Sequence, residues 1–172
     1  MQLSDDDFTL FGLPQRQAVD AAALASQWRA LQAQVHPDRF ASEGAAAQRL
    51  AMQWAVRVNE AYQRLKDPLK RAAYLCELRG VPINAENNTA MPGAFLMQQM
   101  EWREALDEAE DAAALQRLRA EVDAARARAL SSLDWLIDEQ GDFGAAAKQV
   151  RALMFIERFA EDVENRADHW RQ

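Results

Sequence analysis

Three features of the sequence predict an all-α protein. Its 172 residues include only six Gly and five Pro, which leaves little material for the turns of a sheet. Long runs between them are rich in Ala, Leu, Gln, Glu and Arg, which all favour helices. Apolar residues recur in these runs at spacings of three and four, the pattern of helices with one buried face.

The first helix is predicted to follow a short apolar segment, DFTLFGLP, that closes with a Gly-Leu-Pro turn. Asp20 is its expected N-cap. Its buried stripe is predicted to comprise Leu24, Trp28, Leu31 and Val35. The helix should end at His36-Pro37, because proline disfavours helical geometry in the residue before it.

A second amphipathic helix is predicted after the polar loop DRFASEG. Its stripe is expected to comprise Leu50, Trp54, Val58, Ala61 and Leu65. The two stripes face each other most economically as an antiparallel hairpin, with His36, Pro37 and Asp38 at its exposed tip. A shorter helix should begin near Pro68 and end at Gly80.

A second domain is predicted after a stretch of Gly, Pro and Asn without periodicity. We assign residues 1–79 to the first domain, 80–93 to a linker and 94–172 to a three-helix bundle. The bundle helices should span about 94–109, 112–139 and 143–169. Their predicted core positions are Trp102, Leu106 and Ala109; Leu115, Leu118, Val122, Ala125, Ala129, Leu133 and Leu136; and Val150, Leu153, Ile156, Ala160 and Val163.

Charge and composition exclude several classes of function. Residues 1–79 carry ten Lys or Arg and nine Asp or Glu, whereas residues 80–172 carry ten and eighteen. The acidic second part argues against nucleic-acid binding, which needs clustered cations. The acidic start, MQLSDDDF, and the lack of a run of ~18 apolar residues predict a cytoplasmic protein without a membrane partner.

Metal and catalytic chemistry have little support in the sequence. Cys76 is the only cysteine and lies in an apolar helical run, so we expect a core thiol, no metal site and no cofactor. His36 and Asp38 have no second histidine, nucleophile or phosphate loop in sequence to work with. We therefore expect a binding protein rather than an enzyme.

The predicted hairpin resembles the J-domain, the module with which co-chaperones engage ATPase chaperones of the heat-shock-70 class. The resemblance rests on HPD between two amphipathic helices, followed at the family's spacing by NEAY and LKDP. The opening FTLFGLP, the variant HPDRF, the AAYL segment and the C-terminal bundle resemble the HscB family more narrowly. HscB proteins are the J-proteins dedicated to iron–sulfur cluster assembly.

This resemblance implies two partners. The tip would dock on an HscA-like chaperone and stimulate its ATPase, and the bundle would hold the iron–sulfur scaffold protein IscU for delivery. At the tip, Pro37 fixes the backbone, His36 offers ring donors and acceptors, and Asp38 can pair with a cationic groove. Arg29 and Arg39 are the expected basic contacts, with Arg49 and Arg57 as weaker candidates. The alternative is a helix stop followed by a local hydrogen bond of the Asp38 side chain.

The expected scaffold site lies on the first bundle helix. A helical wheel places Leu96, Met97, Met100, Glu101, Glu104 and Glu108 within an arc of about 140°, away from the predicted core. Apolar residues beside charges of one sign are typical of a protein-binding face. The resemblance assigns these positions, together with Phe155 on the last helix, to scaffold binding. Alternatively, Met97, Met100 and Phe155 complete the bundle core, or the bundle recruits a different client or only dimerises the chain, or the protein is a helical interaction module without a chaperone role.

Overall fold

The computed structural model describes residues 1–84, 91 and 93–171. These residues form helices and loops and contain no strand, which confirms the all-α prediction. The helices are α1 (Asp7–Leu10), α2 (Ala21–Val35), a 3-10 helix (Pro37–Phe40), α3 (Ala45–Lys66), α4 (Pro68–Leu78), α5 (Gly93–Glu108), α6 (Ala112–Asp134), a π-helical segment (Trp135–Glu139) and α7 (Phe143–Arg171).

The chain divides into two compact units, Met1–Leu75 and Cys76–Gln172. The division falls within α4, three residues before that helix ends. The predicted domain boundaries at 79/80 and 93/94 stay a prediction, since part of the expected linker, residues 85–90 and Pro92, lies outside the described residues.

The first unit is built on the predicted hairpin of α2 and α3. Asp20 caps α2 as expected, because its carboxylate accepts hydrogen bonds from the backbone N–H groups of Ala22 at 2.9 Å and Ala23 at 3.2 Å. The stripe of α2 is buried except for the half-buried Trp28. The prediction for Leu50 was wrong: its side chain is 49% exposed, and Ala51 begins the buried stripe of α3. Leu50 lies about 80° from Val58 on the helical wheel, whereas Ala51 lies within about 20°.

The outer edge of the hairpin is held by residues of the J-like NEAY motif. The indole of Trp28 stacks on the ring of Tyr62, with centroids 4.3 Å apart and planes 10° from parallel. The side-chain oxygen of Asn59 accepts from Trp28 Nε1 at 3.0 Å and from Gln32 Nε2 at 3.1 Å. Asn59 and Tyr62 therefore fix how α2 and α3 pack, and so the direction in which the tip points.

A buried carboxylate anchors α1 to α3. Asp7 is fully buried and pairs with Arg57 Nη1 at 2.8 Å and with both Nε and Nη2 of Arg64, at 2.5 and 3.0 Å. The hydrogen bond with Asp7 raises the pKa of Arg64. Arg57 also donates to the carbonyls of Leu3 and Asp5. The guanidinium of Arg57 thus holds the N-terminal segment, which argues against the chaperone contact for which Arg57 was a weaker candidate.

In the second unit, α6 and α7 pack antiparallel along most of their length. Arg126 pairs with Glu157 at 3.1 Å and Arg119 pairs with Glu164, so the pairs step by seven residues along both helices. The predicted core positions are buried, apart from the half-buried Ala125, Leu136 and Ala160. The predicted helix over 112–139 changes to π-helical geometry at Trp135.

Cys76 is the core thiol that the sequence predicts. It is fully buried, its Sγ lies 3.8 Å from the carbonyl oxygen of Phe143, and burial raises its pKa to about 11. The described part of the chain contains no group of three metal-ligating side chains. Within that same part, no helix is long and apolar enough to cross a membrane.

Candidate protein-binding sites

The hairpin tip is a short 3-10 turn whose start is capped by His36. Proline at position 37 holds His36 outside helical geometry, with ψ at 128°, so α2 stops at Val35. The Nδ1 atom of His36 accepts the backbone N–H of Asp38 at 3.2 Å. This bond requires an Nδ1 that carries no proton, which assigns the neutral ring with its proton on Nε2. The side chain of His36 thus orders the backbone that carries Asp38.

The carboxylate of Asp38 points into solvent. Its side chain is 92% exposed, and its Oδ2 lies 3.7 Å from Nδ1 of His36. No described residue donates a hydrogen bond to this carboxylate, and the local hydrogen bond that Asp38 does form runs from its backbone N–H to His36. Only the backbone of Asp38 takes part in the turn, and the charge is free to meet a partner.

The structure places the basic residues of the first unit in different environments. Arg39 donates from Nη1 to the carbonyl oxygen of Ala33 at 3.0 Å, which ties the tip to the last turn of α2. Arg29 lies seven residues before the tip, about 10 Å along α2, and is exposed without a partner among the described residues. Arg49 is likewise exposed on α3. Of these three arginines, Arg39 is therefore the one that is hydrogen-bonded to an element that forms the tip.

The predicted face of α5 is open to solvent. The side chains of Leu96, Met97 and Met100 are 43%, 63% and 71% exposed. The three glutamates of the face, Glu101, Glu104 and Glu108, are also exposed. The alternative in which these residues complete the bundle core is therefore wrong for Met97 and Met100. Uncovered methionines are adaptable contacts for another protein.

Phe155 joins this face to α7. It is half-buried and packs edge-on against Phe95, with centroids 5.7 Å apart, and parallel to Phe159 at 6.0 Å. Its remaining surface lines an open groove between α5 and α7. The other residues lining this groove are Gln99, Met100, Arg103, Glu104, Asp107 and Glu108. Four of the seven predicted scaffold residues meet here, while Leu96, Met97 and Glu101 lie outside the groove.

Sequence reasoning missed two charged residues of this groove. Asp107 falls inside the arc of the predicted face, and the same wheel could have found it. Arg103 is the cation of the groove: it pairs with Asp162 at 3.2 Å, and its guanidinium lies 5.2 Å from the centre of the Phe159 ring. Phe159 itself is fully buried and was not among the predicted core residues.

Comparison with known proteins supports a single family. A family model described as the HSCB C-terminal oligomerisation domain matches residues 91–164. The chain is 55% identical over 161 residues to the co-chaperone protein HscB homolog of Bordetella pertussis, covering 93% of this chain and 95% of that protein.

Two solved structures share the fold over nearly the whole chain. The chaperone HscB from Vibrio cholerae is 39% identical, with a TM-score of 0.83 over 96% of this chain and 99% of that one. The human co-chaperone protein HscB is 28% identical, with a TM-score of 0.91 over 97% of this chain and 84% of that one. The resemblance to J-type co-chaperones thus extends through both units of the chain.

Proposed function

The chain belongs to the HscB co-chaperone family, and on that premise we propose that it stimulates the ATPase of an HscA-like chaperone and delivers an IscU-like scaffold to it. This delivery aids the maturation of iron–sulfur proteins. The chemistry belongs to the chaperone, and the protein itself is a cytoplasmic adaptor without catalytic residues or a resident cofactor.

One observation carries the proposal for the tip. Asp38 holds a solvent-exposed carboxylate on a backbone that His36 and Pro37 keep in one conformation. A charge presented in this way loses little conformational freedom on docking, so more of the interaction energy remains for binding. A cationic groove on the chaperone, lined by Arg or Lys, is the complementary surface. Arg29, seven residues before His36, and Arg39, directly after Asp38, add basic contacts.

The face of α5 supports the second contact. Exposed Leu96, Met97 and Met100 offer an apolar centre, and Glu101, Glu104 and Glu108 offer a rim of one charge. Such a face fits a client surface that is apolar and edged by Lys or Arg. With both contacts on one chain, the scaffold is held near the chaperone at a high effective concentration, even where each contact is weak.

The test is the steady-state ATPase rate of an HscA-like chaperone, measured with this protein and with or without an IscU-like scaffold. We expect stimulation by the protein alone and a further increase when the scaffold is added. If the stimulation is the same with and without the scaffold, the proposed scaffold binding is contradicted, while the proposed chaperone contact stands. An ATPase rate that the protein leaves unchanged would contradict the proposal as a whole.

A further inference from the structure

A second groove runs along the opposite flank of α5, where that helix meets α6 and α7. Its floor contains three alanines, Ala125 and Ala129 of α6 and Ala152 of α7, whose short side chains leave space beneath α5. Phe95 and Trp102 of α5 form its apolar wall. Met100 and Glu104, which line the groove beside Phe155, do not line this second groove.

Two cations stand at this groove. Arg128 of α6 and Lys148 of α7 are both exposed, and neither forms an ion pair within the part of the chain that the structure describes. By contrast, Arg119 and Arg126 of α6 are paired with glutamates of α7. Arg128 and Lys148 thus place two unpaired positive charges beside apolar side chains, in a part of the chain where acids outnumber bases by eighteen to ten.

The helix register fixes the spacing of the two cations. The pairs Arg119–Glu164 and Arg126–Glu157 place residue 148 of α7 opposite residue 135 of α6. Arg128 lies seven residues from that level, which is about 10 Å along the bundle axis at 1.5 Å per residue. Two carboxylates seven residues apart on one face of a bound helix have the same offset along their helix axis.

We propose that this groove binds an acidic amphipathic segment of a partner protein. Apolar side chains of that segment would pack against Phe95 and Ala125, which are only half-buried, and two carboxylates offset by about 10 Å along the segment would meet Arg128 and Lys148. The charge complementarity selects the occupant, since a basic segment would be repelled by both cations. The groove lies on the other flank of α5 from Met100, so this segment and the proposed scaffold occupy separate surfaces. The inference does not rest on the scaffold assignment.

The test uses the full chain and a fluorescein-labelled synthetic helical peptide with Leu on one face and two Glu residues seven positions apart. A second peptide carries Lys in place of both Glu. By fluorescence anisotropy at low salt, we expect the Glu peptide to bind about tenfold more tightly than the Lys peptide, because the cations attract only the former. Added salt should weaken its binding.

Paired variants locate the binding. The double variant Arg128→Glu, Lys148→Glu should bind the Glu peptide about tenfold more weakly or worse, since both attractions become repulsions. The matched control is Arg117→Glu combined with Arg158→Glu, which changes the net charge equally on α6 and α7 but outside the groove, where both residues are exposed. The control should change the affinity by less than about twofold.

Several outcomes would overturn the assignment. Undetectable binding of the Glu peptide, equal binding of the Lys peptide, or equal weakening by the control pair would each show that the groove does not select acidic segments. Sedimentation velocity of the full chain tests whether a second copy of this chain occupies the groove. A dimer that dissociates in the Arg128→Glu, Lys148→Glu variant, but not in the control, would assign the groove to a second copy of this chain instead.

Discussion

The hairpin tip and the face of α5 present exposed groups to partners in opposite ways. At the tip, one carboxylate stands on a turn that is ordered by the His36 ring and tied back to α2 by Arg39. On α5, six exposed residues share a regular helix, and no single one is held by its neighbours as Asp38 is held at the tip. The first site depends on backbone geometry, and the second depends on the composition of a surface.

This difference predicts how each site responds to substitution. A site built around one oriented charge should fail completely when that charge is removed. A face built from several apolar and acidic residues should lose only part of its affinity with each substitution. Several residues contribute to its binding energy, even where a few of them dominate. The predictions below test this contrast, beginning with the largest expected effect.

Asp38→Ala is expected to abolish stimulation of the chaperone ATPase while leaving scaffold binding unchanged. The substitution removes the exposed carboxylate but keeps the backbone N–H that His36 accepts, so the turn can persist. Steady-state ATPase rates and a scaffold titration measure the two effects. Glu43→Ala, which removes an exposed acid from the neighbouring loop, is the matched control and should stimulate normally. Full stimulation by Asp38→Ala would show that the contact is not centred on this charge.

Asp7→Ala is expected to destabilise the first unit by about 3–5 kcal/mol, because it leaves the guanidinium groups of Arg57 and Arg64 without their shared buried partner. Hydrogen exchange of the α3 amides, followed by mass spectrometry, reports the stability of this unit separately.

The neighbouring Asp6→Ala provides the comparison for this measurement. Asp6 is the N-cap of α1, and its carboxylate accepts from the backbone N–H of Thr9 at 3.0 Å. Loss of the cap should cost about 1 kcal/mol. Equal protection of α3 in the two variants would mean that the buried ion cluster adds nothing beyond a helix cap.

Features that depend on residues close in sequence were predicted more fully than contacts between distant residues. Periodicity and the Pro37 helix stop predicted the hairpin and its exposed tip, since these depend on residues close in sequence. For the face of α5, periodicity placed the residues off the core stripe but left open whether they complete the core, and the family resemblance favoured an exposed binding face. The Asp7 cluster was missed because its partners lie 50 and 57 residues away and follow no period. Arg57 was consequently interpreted as a surface cation. Phe159 was missed because it extends the core of α7 toward Trp102, whose ring centroid lies 5.4 Å away on α5.

Glu104→Lys is expected to weaken scaffold binding by about tenfold and to leave stimulation by the protein alone unchanged. Glu104 lies in the groove between α5 and α7, where the acidic rim is closest to Phe155 and Met100. Isothermal titration measures the affinity. Glu121→Lys makes the same charge change at an exposed position of α6 outside both grooves, and should have little effect. Equal losses of scaffold affinity in the two variants would mean that the scaffold is attracted by the overall charge of the acidic bundle and not by a defined face of α5.

Arg39→Met is expected to reduce stimulation only severalfold and distinguishes two roles for this cation. The structure shows Arg39 donating to the carbonyl of Ala33, a bond whose loss costs about 1 kcal/mol at an exposed site. If Arg39 positions the tip, the backbone amide of Asp38 should exchange faster in the Arg39→Met variant measured without chaperone, because the turn is less firmly tied to α2. Hydrogen exchange detected by NMR measures this amide directly. Unchanged exchange together with reduced stimulation would instead place Arg39 in direct contact with the chaperone, and the tip would then share its energy among charges as the face of α5 does.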